Sequence, residues 1–132
     1  MTKTSAKAKL AEKTDQTILE EHSPKACSAI MLPIRDALDI LNGKWKLPII
    51  ASLTFGNKRF REMTKEIPGI TDKMLSKELK DLEMNHLIRR TVFDEYPPRV
   101  EYSITDHGLS LKDVLFELSR WGQEHRKKVM GK

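Results

Sequence analysis

Lys73, Lys77 and Lys80 recur at intervals of four and three within residues 71–83, and Leu75, Leu79 and Leu82 recur among them in the same way. On a helix of about 3.6 residues per turn each triplet falls on one narrow stripe, and the two stripes lie on opposite sides. Such a segment buries its leucines and holds its ammonium groups where water or a polyanion can meet them. Thr71 suits the N-cap, since its hydroxyl can accept from a backbone N–H two or three residues on. Taken alone, the segment is most simply a core helix with a solvated lysine face. Its neighbours decide otherwise.

Little else in the chain suggests chemistry. Gly43-Lys44-Trp45 lacks the earlier glycine and the following hydroxyl of a phosphate loop. His22, His86, His107 and His125 show no close ligand spacing, and one cysteine cannot build a usual structural zinc site. No serine, histidine and acid cluster stands out. The chain is therefore expected to have no catalytic residues, no metal and no cofactor, and not to be an enzyme. Cys27 is the only cysteine, which excludes an intrachain disulfide. A lone thiol in a reducing compartment is more often inert than reactive.

Lys and Arg number 24 against 19 Asp and Glu, a formal charge of +5 that favours a polyanionic partner, nucleic acid first. No apolar run approaches the ~20 residues needed to cross a bilayer, and the first residues lack the apolar stretch of a secretory signal. A cytoplasmic protein with no membrane partner is expected.

The elements that must position the lysines follow from periodicity. Residues 1–24 are polar, with Leu10, Ala11, Ile18 and Leu19 able to make a weak amphipathic helix over about 8–21 that orders against a partner chain. Ser23-Pro24 is expected to end it. A helix over 33–41 carries Ile34, Ala37, Leu38 and Leu41, and Asn42-Gly43 closes it. A second, over 44–53, carries Trp45, Ile49, Ile50 and Leu53, with Pro48 in its first turn, where proline costs little. Phe55-Gly56-Asn57 turns into a third, over 59–67, which Pro68-Gly69 breaks just ahead of the lysine helix. Two short helices around a tight turn make a helix-turn-helix.

Residues 87–93 then have strand composition, residues 99–104 alternate polar and apolar, and Asp94-Glu95-Tyr96-Pro97-Pro98 between them cannot continue a ladder. A hairpin directly after a helix-turn-helix is a wing. Arg89 and Arg90 alternate sides of the first strand, so at most one easily faces a ligand on the helix. Thr105-Asp106-His107-Gly108 caps a last helix over about 108–128. Leu111, Val114, Leu115, Leu118 and Trp121 cover one broad side of it, with Leu109 and Phe116 roughly opposite. Two apolar sides need two surfaces; the domain offers one, and a second subunit is the expected other. The fold class is mainly α with a small β-hairpin wing (α+β), a winged helix-turn-helix with N- and C-terminal dimerisation helices. The divisions expected are an extension over 1–26, a DNA-binding domain over 27–108, and a dimerisation helix and tail over 109–132.

This order of motifs resembles the HxlR-like family of winged-helix transcriptional regulators, relatives of the MarR-type group. The matching stretches are Leu41-Asn42-Gly43-Lys44-Trp45, Gly56-Asn57-Lys58-Arg59-Phe60-Arg61-Glu62-Met63 and Ile67-Pro68-Gly69-Ile70-Thr71. Met74-Leu75-Ser76-Lys77-Glu78-Leu79-Lys80-Asp81-Leu82 and Pro97-Pro98-Arg99-Val100-Glu101-Tyr102-Ser103-Ile104-Thr105 complete them, ending at Gly108. One departure is His86, where the family usually has glycine; Asn85 is expected to take the left-handed conformation instead.

The resemblance implies a homodimer on double-stranded DNA, with one recognition helix per subunit in successive major grooves of a near-palindromic operator. Repression is the expected outcome. On the helix, Thr71, Lys73, Ser76 and Lys77 can reach base edges and Lys80 a phosphate. Lys58, Arg59 and Arg61 are placed to grip backbone and Arg99 to enter the minor groove or touch its phosphates. Arg59 has an alternative pairing with Glu62 or Glu101, and Arg99 an alternative role pinning the wing to the domain. Asp72, which phosphate would repel, is read as a first-turn helix acid. Some members of the family sense oxidants or electrophiles through a cysteine ahead of the first core helix. Cys27 fits that position, so a small electrophile or thiol is an expected effector, with a silent thiol as the alternative. The alternative to the whole reading is a winged-helix protein-interaction module that never touches DNA.

Overall fold

Pro24 opens a helix. In the computed structural model, which describes residues 24–131, helix α1 (Pro24–Ile40) starts well ahead of the helix expected over 33–41. Proline is favoured in a first turn, where its missing N–H is an orphan anyway. Pro33 is then carried inside the helix, where it forgoes one backbone bond. The helix expected over 8–21 lies outside the described residues. The chain divides after Asn42 into two units, whose described parts are residues 24–42 and 43–131. In the first, the α1 side chains Met31, Leu32, Ile34 and Leu38 are all more than half exposed.

The second unit runs α2 (Lys46–Thr54), α3 (Phe60–Glu66), α4 (Asp72–Met84), β1 (Ile88–Phe93), β2 (Arg99–Ile104), α5 (Asp106–Leu109) and α6 (Lys112–Met130). Its core is the set that helical spacing selects: Ile49, Ile50 and Leu53 from α2, Met63 from α3, and Leu75, Leu79 and Leu82 from α4, closed by Leu87 and Ile88. Each such side chain removed from water contributes on the order of 1.5–3 kcal/mol. The α3–α4 turn depends on Gly69, whose φ of 83° suits glycine and strains other residues. It delivers Thr71 to the N-cap of α4, where Oγ1 accepts from the Met74 N–H at 3.1 Å.

The C-terminus of α4 corrects one expectation. Asn85 keeps φ −90° as the C-cap, and His86 takes φ 60°. The His86 N–H bonds to the Glu83 carbonyl and the Leu87 N–H to the Leu82 carbonyl, both at 3.0 Å. That is the paired closure of a Schellman motif, which requires its left-handed residue one place beyond the cap. Asn85 is one place too early to supply it.

β1 and β2 form an antiparallel hairpin with Ile88 opposite Ile104 and Phe93 opposite Arg99. Lys58 adds one bridge outside it, exchanging backbone bonds with Tyr102. Thr105 caps α5 through its Oγ1, which accepts from the Gly108 N–H at 3.0 Å. The single helix expected over 108–128 is therefore two, with a break at Ser110 and Leu111. Gly108 explains the break: a Cβ there would overlap the Leu87 carbonyl, so α5 is held hard against the start of β1. α6 leaves in a new frame and packs on α2. Among the described residues no helix is long and apolar enough to cross a membrane.

Candidate nucleic-acid interface

The two stripes of α4 part as helical geometry requires. Leu75, Leu79 and Leu82 are at most 2 % exposed, whereas Thr71, Asp72, Lys73, Ser76, Lys77 and Lys80 are all exposed. None of the three lysines has an ion-pair partner among the described residues. Asp72 occupies the first turn of α4, where a carboxylate complements the helix dipole. It also stands 3.9 Å from Arg61, an exposed pair that contributes little in water.

Besides its buried leucines, α4 is tied to α2 by a residue that periodicity did not single out. Lys46, in the first turn of α2, is only 5 % exposed, and its Nζ lies 2.8 Å from Glu78 and 3.4 Å from Asp81. Burial alone pulls its pKa down, but the hydrogen bonds and charges of Glu78 and then Asp81 outweigh this and hold it above its ordinary value. The ammonium therefore stays charged and neutralises carboxylates on the inner flank of a helix whose outer flank is cationic. These partners are 32 and 35 residues away along the chain, which is why spacing could not reveal them.

The basic groups expected around α3 are divided. Lys58 lies 2.6 Å from Glu66, whose Oε2 also accepts from the Ser52 hydroxyl at 2.8 Å. Lys58 and then Ser52 hold the Glu66 carboxyl below its usual range. Arg59 is exposed, and neither alternative partner takes its guanidinium. Glu62 instead accepts from the Arg59 backbone N–H at 3.0 Å, and Glu101 pairs with Arg99. Arg61 is 80 % exposed.

Arg99 is engaged within the wing. It reaches Glu101 at 2.9 Å and Glu95 at 3.2 Å, and its guanidinium sits 4.1 Å above the Phe93 ring. Its Nε is buried without a hydrogen-bond partner. These contacts all lie within the hairpin, and none of them joins the wing to the rest of the domain, as the alternative role for Arg99 would require. Arg89 and Arg90 are both exposed; Arg90 stands on the face of β1 that lies toward α4.

The last helix also divides its expected face. Val114, Leu118 and Trp121 are 49 %, 50 % and 62 % exposed and line an open groove with Asp113, Glu117 and Arg120. Leu111 and Leu115 are half-buried; Leu115 lies with Phe116 against Ala51, Thr54 and Phe55 at the end of α2. Phe116 thus shares the domain-facing side with Leu115, where the spacing had placed them roughly opposite. Cys27 is exposed on α1. Among the described residues no group of His, Cys, Asp or Glu could hold a metal ion.

Comparison with known proteins places this geometry. The family model described as HxlR-like helix-turn-helix matches residues 40–130. Over 100 residues the chain is 39 % identical to YtcD of Bacillus subtilis strain 168, described as an uncharacterized HTH-type transcriptional regulator, covering 76 % of this chain and 79 % of that protein. A crystal structure of a MarR-family transcriptional regulator from Enterococcus faecalis V583 superposes with a TM-score of 0.67 at 40 % identity, over 74 % of this chain and 89 % of that one. The redox regulator HypR in its reduced form superposes with a TM-score of 0.71 at 34 % identity, over 76 % and 99 %.

Proposed function

The chain belongs to the HxlR-like helix-turn-helix family of transcriptional regulators, and from that premise we propose that it acts as a homodimer, setting one α4 per subunit into successive major grooves of a near-palindromic operator and blocking transcription there. The observation that carries the reading is the division of α4: its leucines are buried and its lysines uncovered and unpaired among the described residues. Thr71, Lys73, Ser76 and Lys77, on the N-terminal half, would read base edges, with lysine donating to guanine O6 and N7. Lys80, Arg59 and Arg61 would hold phosphates and fix register. Lys58 and Arg99 reach phosphate only by exchanging a carboxylate they already hold.

Two apolar faces support the dimer. Met31, Leu32, Ile34 and Leu38 on α1, and Val114, Leu118 and Trp121 on α6, are about half exposed or more, and clusters of large apolar side chains in water mark interaction surfaces. Trp121→Asp is expected to yield monomers by sedimentation and to weaken operator binding with them; a variant that stays dimeric contradicts the assignment of that face.

The similar redox regulator HypR supports a regulatory role for the exposed Cys27. A lone thiol can form an intersubunit Cys27–Cys27 bridge, a mixed disulfide or an adduct. Diamide or a quinone should then release the wild-type protein from DNA and leave Cys27→Ser bound; equal release of both removes the thiol from the account.

The direct test of function is to sequence DNA fragments that copurify with the protein and titrate the recovered duplex by fluorescence anisotropy. Salt-sensitive binding that prefers a repeated half-site is expected. A protein that shows no affinity for any duplex at low salt contradicts the reading.

A further inference from the structure

The wing hairpin has two chemically different faces. Residues on one face of a strand alternate, so Phe93, Arg99 and Glu101 share a side, with Phe93 directly opposite Arg99 in the ladder. On that side the arginine is consumed, held by Glu95 and Glu101 and laid over Phe93. The other side carries Ile88, Arg90 and Tyr102, with Arg90 directly opposite Tyr102. Ile88 is buried in the core, which fixes this as the face turned to the domain and to α4.

Between that face and α4 lies a groove of about 400 Å³ lined by Ser76, Leu79, Lys80, Glu83, Arg90 and Tyr102. Two cations from different elements, Lys80 of α4 and Arg90 of β1, line it together with Leu79. Neither Lys80 nor Arg90 has an ion-pair partner among the described residues, and the Glu83 carboxylate that lines the same groove pairs with neither. Two unpaired cations lining one groove favour an anion there. Arg90 adds a planar fork of donors suited to phosphate oxygens.

Building on the proposed DNA-binding function, we infer that this groove is a phosphate seat: one backbone phosphodiester of the duplex occupies it, held by Arg90 and Lys80, with the Ser76 and Tyr102 hydroxyls lining its sides. The wing thus grips DNA from the flank nearest the recognition helix and not through Arg99, and of the two neighbouring arginines on β1 it is Arg90 that does so. A phosphate contact positions without reading sequence. Losing it should weaken binding to operator and to random duplex alike.

The experiment measures the affinity of the full-length protein for a recovered operator duplex and for a random duplex of equal length between 50 and 200 mM salt. The variants are Arg90→Ala, Arg90→Lys and Arg89→Ala. Each phosphate contact adds about 0.9 to the slope of log K against log salt. Arg90→Ala should lower the slope by about that amount per engaged subunit and weaken both duplexes by the same factor. Arg90→Lys, which keeps the charge, should retain most of the slope, and Arg89→Ala should leave it unchanged. Wild-type binding with an unaltered slope in Arg90→Ala overturns the seat while leaving the function intact. Loss of preference for the operator alone would make Arg90 a base reader and equally overturn it. Absence of wild-type binding to either duplex contradicts the function itself.

Discussion

The recognition helix and the wing carry similar basic groups and treat them in opposite ways. On α4, Lys73, Lys77 and Lys80 stand uncovered, while the carboxylates Glu78 and Asp81 of the same helix are tied down by Lys46. In the wing, Arg99 is caged by Glu95 and Glu101. The difference shows that basic composition is a poor guide to a binding surface. What matters is which charges the fold has already neutralised. An arginine holding two carboxylates must exchange them before it meets phosphate, whereas an unpaired lysine gives up only water and counterions.

The largest way to disturb this contrast is to remove the brace. Lys46→Met leaves Glu78, largely buried, without its cation, and breaking one side of a buried pair costs about 3 kcal/mol or more. A loss of that size in the free energy of unfolding by denaturant is expected; a loss below about 0.5 kcal/mol would mean that α4 is held by its leucines alone.

Next comes the lysine face. Lys77→Ala should weaken operator binding by about tenfold or more, the lower end of what a good base contact contributes, with little effect on random duplex. Equal loss on both would move Lys77 from bases to phosphates. Smaller again is Arg99→Ala, which should change the salt slope by well under the ~0.9 of a free phosphate contact. A full decrement there would show that DNA opens the cage.

The weakest effect separates the two carboxylate clusters by pH. The Lys46 pKa is raised, so its contribution is present below its ordinary 10.5 and fades as pH climbs through the higher folded value. The Glu66 pKa is lowered, so its contribution is present above its ordinary 4.5 and fades as pH falls through the lower folded value. Melting curves should therefore show Lys46→Met losing the alkaline dependence and Glu66→Gln a small part of the acid one, since Glu66 is partly solvated.

Local rules carried much of this architecture. The leucine spacing and Thr71 cap of α4 needed no tertiary knowledge, and the alternation in residues 99–104 matched β2 end to end. Punctuation was harder. Pro24 is a boundary, as the first residue of α1, but Pro33 reads as a helix start and lies inside α1, because proline's cost depends on where the helix has already started. The left-handed residue went to His86 and not Asn85, since closure of the helix end fixes its position whatever the side chain's preference. At the interface, exposure of the lysines was legible and pairing was not. Lys46 with Glu78, Lys58 with Glu66 and Arg99 with Glu95 all depend on how elements are brought together.

The central claim is that duplex DNA occupies the uncovered lysine side of α4 while the paired cations stay largely occupied. The measurement that tests it is operator affinity and its salt dependence in two multiple variants of the protein. Replacing Lys73, Lys77 and Lys80 with Gln should weaken operator binding by about a hundredfold or more and flatten the slope by about 0.9 per subunit, the Lys80 contact, whereas replacing Lys58 and Arg99 with Gln should leave most of both. Affinity and slope that survive the first set and collapse with the second would place the duplex on the wrong side of the account.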